Sequence, residues 1–261
     1  MNKLFPIRSY ITYWLDQVDR HSLHSPFFYD FYTKVVKGKN PVHVKSHVIE
    51  SLRKKLLQTD QHIDVHDLGA GSGILKTHHR NVKDIARTSL SPAKYAQLYA
   101  RIVAHFKYKN IIELGTSLGI NALYLSSLPE THVTTFEGSD AIADIAESSF
   151  ESAGKPSIHL IRGDINKTLP HFISQSAKID LAFMDANHRY EATMQYFRLI
   201  LPRLHEKSIV LIDDIHYTAG MQTAWNEIRE HPLVYGSADL YRVGILLFDP
   251  SLNKQHVVLQ F

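Results

Sequence analysis

The stretch NIIELGTSLGINALYL, from Asn110 to Leu125, decides the fold. It opens with a short apolar run that ends at Glu113 and continues through Gly115 and Gly119 into an apolar segment with helical spacing. Glycines at such a junction let the backbone approach a ligand, and the start of the next helix presents free N–H groups. The stretch therefore predicts a strand, a ligand-binding turn and a helix.

The segments after this turn repeat the same alternation. Four further apolar runs (HVTTFE, IHLIRG, IDLAFMD and SIVLIDD) are each followed by an amphipathic run, which is typical of a parallel sheet covered by helices. The last two strand-like runs, LYRVGILLFD and QHVVLQF, have no helix between them and predict an antiparallel hairpin. We therefore predict an α/β fold: a Rossmann-like, doubly wound, mostly parallel sheet with a C-terminal antiparallel hairpin.

The front of the chain differs, because its apolar spacing is mostly helical. We predict an N-terminal helical region over residues 1–106 and a second domain over residues 107–261. Helices are expected around Tyr10–Val18, Phe27–Val35, Val44–Leu57 and Ser91–Phe106. Ser25-Pro26 is expected to cap the second of these helices.

A second glycine-rich stretch, VHDLGAGSGILK from Val65 to Lys76, competes for the role of ligand turn. The residues after it, KTHHR, are too polar to form the packing face of a crossover helix, and no strand comes next. It is therefore predicted to be a joint in the N-terminal region, with a lid or a second ligand contact as the less favoured alternatives.

The composition and charge of the chain argue against several kinds of function. The 261 residues carry a formal net charge of +3 without a long basic run, which argues against a nucleic-acid partner. There is no cysteine, so no disulfide or thiolate site can form. Neither a signal peptide nor a membrane-spanning run is evident, so a cytoplasmic protein with no membrane partner is predicted. No motif in the sequence indicates the oligomeric state, so the sequence is compatible with a homodimer.

Acidic residues end several of the predicted strands. Glu137 ends the strand after the glycine turn, where an acid can accept the hydroxyls of a ribose. Asp185 ends IDLAFMD, and Asp213 and Asp214 end SIVLIDD; parallel strand ends lie side by side at the ligand edge. Three carboxylates at this edge of the sheet would repel each other unless a cation lay among them. We expect no lysine or arginine side chain between these strand ends in the folded protein. Oxygen ligands suit Mg²⁺ or another divalent cation.

From Tyr108 to Phe261 the sequence resembles the class I S-adenosylmethionine-dependent methyltransferases in the order of its turn, its acids and its terminal hairpin. The turn has the pattern E-x-G-x-x-x-G and not the dinucleotide pattern G-x-G-x-x-G. The resemblance implies that S-adenosyl-L-methionine is the cofactor, that Glu137 binds its ribose and that Asp164 lies by its adenine. The predicted cofactor-binding residues are Glu113, Gly115, Thr116, Ser117, Gly119, Asn121, Glu137, Asp164 and Asp185.

The segment MDANHRY, together with SIVLIDD, is similar to metal-dependent O-methyltransferases of the catechol and macrolide-sugar types. The resemblance implies that Asp185, Asp213 and Asp214 hold a divalent metal. It also implies that His188, three residues after the first ligand, is the general base. The predicted function is O-methylation of a small-molecule hydroxyl, assisted by a divalent metal.

Three other functions stay open at this point. A methyltransferase without metal could use His188 or an aspartate alone, and magnesium dependence would separate it from the metal-assisted form. A protein with the same fold could bind the cofactor without catalysing a reaction. The presence of Glu113, Glu137, Asp185, His188 and Asp214 argues against such a loss of activity. A nucleic-acid methyltransferase is disfavoured, because the motif Asn/Asp-Pro-Pro-Tyr/Phe is absent where MDANHRY stands. The methyl acceptor itself is not readable from the sequence.

Overall fold

The structure is a computed structural model that describes residues 4–39, 46–65, 78–155 and 158–261. These residues form a mixed α/β fold with mostly parallel strands and antiparallel strands near the C-terminus, as predicted. They group into two compact units. The central unit comprises Asn40–Gln175, and the terminal unit comprises Met1–Lys39 together with Ser176–Phe261. The predicted boundary between residues 106 and 107 stays a prediction.

The helices and strands run as follows. The first half of the chain contains α1 (Leu4–Asp16), α2 (Pro26–Phe31), α3 (Ser46–Gln58), β1 (His62–Asp64), β2 (His79–Asn81), α4 (Val82–Ser89), α5 (Ala93–Phe106), β3 (Asn110–Leu114), α6 (Ile120–Leu125) and β4 (His132–Glu137). The second half contains α7 (Asp140–Ser152), β5 (His159–Arg162), α8 (Ile165–Gln175), β6 (Leu181–Met184), α9 (Tyr190–Ile200), β7 (Ile209–Ile212), α10 (Ala219–Arg229), β8 (Gly236–Asp239), β9 (Gly244–Leu247) and β10 (Gln255–Val258).

In the central unit, β3, β4 and β5 form parallel pairs in that order. Ile111, Ile112 and Leu114 of β3 are buried on both faces, which explains why this strand reads as a continuous apolar run. Helices α7 and α8 both contact β4, while α5 and α3 contact α6. The ligand turn thus follows a strand that is buried from its second residue onward.

The N-terminal region, predicted to be mostly helical, also contains two short strands. Strands β1 and β2 pair antiparallel, and α4 follows them. The two strands read HID and HRN, too short and polar to give an apolar period. Residues 66–76 of the predicted joint lie outside the described residues. On its flanks, the Val65 N–H donates to the His78 carbonyl at 2.8 Å.

The terminal unit carries the C-terminal antiparallel strands, but their pairing differs from the prediction. Strand β7 is parallel to β6 and antiparallel to β9; β9 is also antiparallel to β8, and β10 is parallel to β8. The hairpin is therefore β8–β9, not β9–β10. The sequence missed β8 because GSAD contains no apolar run, although all four residues are buried. No helix in the described parts of the chain is long and apolar enough to cross a bilayer.

Candidate functional site

The glycine turn between β3 and α6 has an unusual backbone. Gly115, Ser117 and Gly119 have φ values of 98°, 49° and 84°, all in the left-handed region. A Cβ at Gly119 would lie 2.6 Å from the Phe150 ring, so only glycine fits there. The Thr116 hydroxyl points inward, 2.6 Å from the Thr135 hydroxyl. The Thr116 N–H donates to the Phe136 carbonyl at 3.0 Å, so both the side chain and the backbone N–H of Thr116 are engaged within the protein.

Glu137, at the end of β4, is fixed by this turn. Its Oε2 accepts the Ser117 N–H at 2.9 Å, and its Oε1 accepts the Ser139 N–H at 3.0 Å. Two backbone bonds hold the carboxylate in one orientation, which suits an acceptor for paired hydroxyls.

Glu113, at the end of β3, is fully buried in the central unit. Burial raises the pKa of its carboxyl to about 8; the Thr135 hydrogen bond opposes this shift and the Glu137 charge adds to it. Thr135 donates to Oε2, while Oε1 has no hydrogen-bond partner among the described residues. The buried Asn121 Oδ1 and Ser139 Oγ are likewise without partners there. Buried polar atoms without a hydrogen-bond partner are rare in proteins, and these three favour a polar ligand at this site.

Asp164 follows β5 and has a local structural role. Its Oδ1 accepts both the backbone N–H and the side-chain amide of Asn166, each at 2.9 Å, at the start of α8. This is the arrangement of a helix cap. Contact between Asp164 and an adenine stays a prediction.

In the terminal unit, the predicted catalytic residues lie at the ends of β6 and β7. His188 Nε2 is 3.5 Å from Asp185 Oδ1, and both side chains are partly exposed. The backbone is strained here: Asn187, His188 and Asp214 have φ values of 68°, 37° and 54°. Non-glycine residues in this region cost about 1–3 kcal/mol each and are concentrated at functional sites. The exposed Tyr217 ring lies 6.3 Å from the His188 ring.

Arg242, in the turn between β8 and β9, binds the predicted metal ligands directly. Its Nε lies 3.2 and 3.0 Å from the two Asp213 carboxylate oxygens, and its second terminal nitrogen lies 2.7 Å from Oδ2. The same nitrogen is 3.6 Å from Asp214 Oδ1. Burial raises the pKa of Asp214, as does the Asp213 charge, whereas Arg242 and His188 lower it. Burial alone would lower the pKa of Arg242, but Asp213 and Asp214 raise it overall.

Part of the chain matches the model of one known protein family. Residues 112–215, from the ligand turn to just past the paired acids, match the family model of a methyltransferase domain. Over these residues the chain is similar to a methyltransferase domain. The matched residues contain Glu113, Glu137, Asp164 and the segment from Asp185 to Asp214.

Solved structures with the same fold include two O-methyltransferases. The chain superposes on the O-methyltransferase from Bacillus cereus in complex with SAH at a TM-score of 0.54 and 18% identity, covering 83% of this chain and 94% of that one. For the O-methyltransferase TomG from Streptomyces achromogenes, involved in tomaymycin synthesis and solved with SAM, the values are 0.56, 18%, 84% and 95%. Similarity at this level shows the fold alone.

One curated relative matches a short region. A protein-L-isoaspartate O-methyltransferase from Pyrococcus abyssi (strain GE5 / Orsay) is 34% identical over 61 residues. The match covers 23% of this chain and 28% of the relative. The chain thus spans under a third of that relative, and the substrate does not follow from it.

The residues at the turn fit an S-adenosylmethionine ligand. Glu113 Oε1 and Asn121 Oδ1 are buried acceptors without partners in the described structure, and a ligand donor would satisfy them. Glu137 is a prepositioned pair of acceptors. The Ser117 hydroxyl lies 2.8 Å from the Ser89 hydroxyl, and its N–H donates to Glu137, so Ser117 holds the turn in place. Binding of the cofactor by the predicted residues stays a prediction.

The residues predicted to bind a metal do not fit one. Arg242 occupies both oxygens of Asp213, which is fully buried. Within the described residues, no three His, Cys, Asp or Glu side chains are arranged to hold a metal ion. The expectation that no arginine compensates Asp185, Asp213 and Asp214 is therefore wrong. It failed because Arg242 is 29 residues from Asp213 in sequence and comes back through the β8–β9 turn.

Two residues of the N-terminal region also escaped the prediction. Ser91, just before α5, accepts a hydrogen bond from Asn121 Nδ2 at 3.0 Å. Ser89, at the end of α4, contacts Ser117. These two contacts join the segment between α4 and α5 to the glycine turn and to the start of α6. The pattern Ser-Leu-Ser-Pro was the only local signal, and it reads as an ordinary helix junction.

Proposed function

We propose that this protein is an S-adenosylmethionine-dependent O-methyltransferase that acts on a hydroxyl group of a small molecule. The observation that carries the cofactor assignment is the pair of buried acceptors without partners, Glu113 Oε1 and Asn121 Oδ1, beside a glycine turn in a methyltransferase domain. The O-methyl assignment is supported by the names of the similar Bacillus cereus and Streptomyces achromogenes enzymes. A cytoplasmic location stays a prediction.

The central unit would bind and orient the cofactor. S-adenosylmethionine, when bound, supplies an electrophilic methyl group. Glu113 and Asn121 would accept hydrogen bonds from its polar groups. Glu137, already held by two backbone N–H bonds, would accept from the ribose hydroxyls. Because these acceptors are in place beforehand, binding would cost little reorganisation.

The terminal unit would supply the general base. His188 would take the proton of the acceptor hydroxyl onto a ring nitrogen, and the Asp185 carboxylate 3.5 Å away would stabilise the resulting imidazolium. The strained backbone at Asn187 and His188 supports this role, because such non-glycine positions are concentrated at functional sites. Of the two mechanisms left open by the sequence, the form without metal is favoured, since Arg242 already neutralises Asp213.

Calorimetry tests the cofactor assignment. Glu137→Ala should weaken S-adenosylmethionine binding by about 1–3 kcal/mol, because buried ligand hydroxyls lose their acceptor. The matched control is Glu130→Ala, an exposed glutamate paired only at the surface with Lys109, which should bind like the wild type. Absence of binding by the wild-type protein would refute the proposed function.

Turnover tests the base assignment. A panel of hydroxylated small molecules with labelled cofactor would first identify an acceptor. His188→Asn should then lower kcat about a hundredfold or more while leaving the cofactor Kd nearly unchanged. His171→Asn, an exposed histidine in α8, is the control. Full activity of His188→Asn would contradict the base assignment.

A further inference from the structure

The acid cluster of the terminal unit, defined as Asp185, Asp213 and Asp214, already contains a fixed positive charge. Three donor–acceptor contacts of 2.7–3.2 Å join the Arg242 guanidinium to Asp213. The planar fork of arginine matches a carboxylate in this bidentate way. Asp213 has no exposed surface, so its charge is compensated inside the protein rather than by water.

The position of Arg242 is set by the turn that carries it. Its carbonyl accepts the Ile215 N–H at 3.2 Å, which joins the β8–β9 turn to the chain just after Asp214. The preceding residue, Tyr241, has a φ of 66° and donates its hydroxyl to the Pro6 carbonyl of α1 at 3.2 Å. Its ring stacks on His216 at 5.4 Å. These three contacts hold the backbone of the turn, which places the Arg242 side chain beside Asp213.

This geometry leaves no place for a second cation at Asp213. A divalent ion binds its carboxylate oxygens at about 2–2.6 Å, so an oxygen already facing a guanidinium is a poor ligand. Both oxygens of Asp213 accept from Arg242, and the same guanidinium lies 3.6 Å from Asp214. A metal would have to displace a buried guanidinium and would then face its charge at short range.

We infer that Arg242 is the resident cation of the acid cluster, in the position where related folds could hold a divalent metal, and that methyl transfer by this protein needs no divalent metal. The inference rests on the proposed function for its second half only. Arg242 acts as a positioning residue: it holds Asp213 and Asp214 in place and neutralises them beside the His188 segment.

Manganese binding by the apo protein tests the inference without any activity assay. Wild-type protein treated with a chelator should show no saturable Mn²⁺ binding by electron paramagnetic resonance and no change in Tm up to millimolar Mn²⁺. Arg242→Gln removes the charge and frees the carboxylates, so it should gain a Mn²⁺ site. Its Tm should then rise by about 5 °C or more at a hundred times the Kd. Arg242→Lys keeps a cation and should behave like the wild type.

Each outcome decides the inference. Saturable Mn²⁺ binding by the wild type that is lost in Asp213→Asn would overturn it, and this result needs no Arg242 variant to fold. A folded Arg242→Gln protein that gains no Mn²⁺ site would overturn it as well. Loss of S-adenosylmethionine binding, by contrast, would refute the proposed function but leave the metal result standing. Once an acceptor is known, turnover that persists unchanged in chelator completes the test.

Discussion

Replacing Glu113 by glutamine should make the stability of this protein less sensitive to pH. Burial raises the pKa of Glu113 to about 8 from an ordinary value of 4.5, so the folded protein holds a proton that the unfolded chain releases. The free energy of unfolding must then fall as pH rises through this window, by about 1.4 kcal/mol for each pH unit. Over the whole window the loss amounts to about 5 kcal/mol, an order-of-magnitude figure. Glutamine has nearly the same shape and does not titrate.

Urea unfolding of the apo protein at pH 5.5, 6.5 and 7.5 measures this effect. Between the first and last pH, the wild type should lose about 3 kcal/mol more than Glu113→Gln. The comparison cancels every other titrating group that both proteins share. Glu130→Gln, at an exposed position, should follow the wild type. If the curves of wild type and Glu113→Gln run parallel, Glu113 is ionised when buried, and the reasoning from desolvation fails.

Two further predictions concern the terminal unit. Gly244→Ala should destabilise the protein by about 1–3 kcal/mol in urea, because its Cβ would lie 2.5–2.8 Å from the buried Trp225 ring. Gly220→Ala, whose Cβ would meet nothing closer than 3.6 Å, is the control, and equal losses in both would refute the packing argument. Burial lowers the pKa of His256 to about 4 from 6.5, so stability should be lost as pH falls between these values, by at most about 3 kcal/mol. His256→Gln should abolish this acid sensitivity, and an unchanged loss of stability below pH 6.5 would contradict it.

The sequence by itself determined the fold class and the position of the glycine turn, because both depend on local order. Apolar strands buried on two faces give continuous runs, and their helices give a 3.6-residue period, so the alternation after Asn110 could be read directly. The turn at Gly115 to Gly119 needs left-handed backbone, and glycine marks such positions. The position of Glu137 followed from the same alternation of strands and helices, because it is the acid at the end of the next strand, β4.

Only the tertiary structure decided how the acids are compensated. Asp213 and Arg242 are 29 residues apart and meet through the turn after β8, a strand of small and polar residues that gives no apolar pattern. The protonation of Glu113 likewise depends on complete burial, which is a property of the packed sheet and not of the motif. Charge compensation and desolvation act through space, whereas sequence patterns report only neighbours along the chain. For this reason the acids of the cluster could be found in the sequence, but the cation that joins them could not.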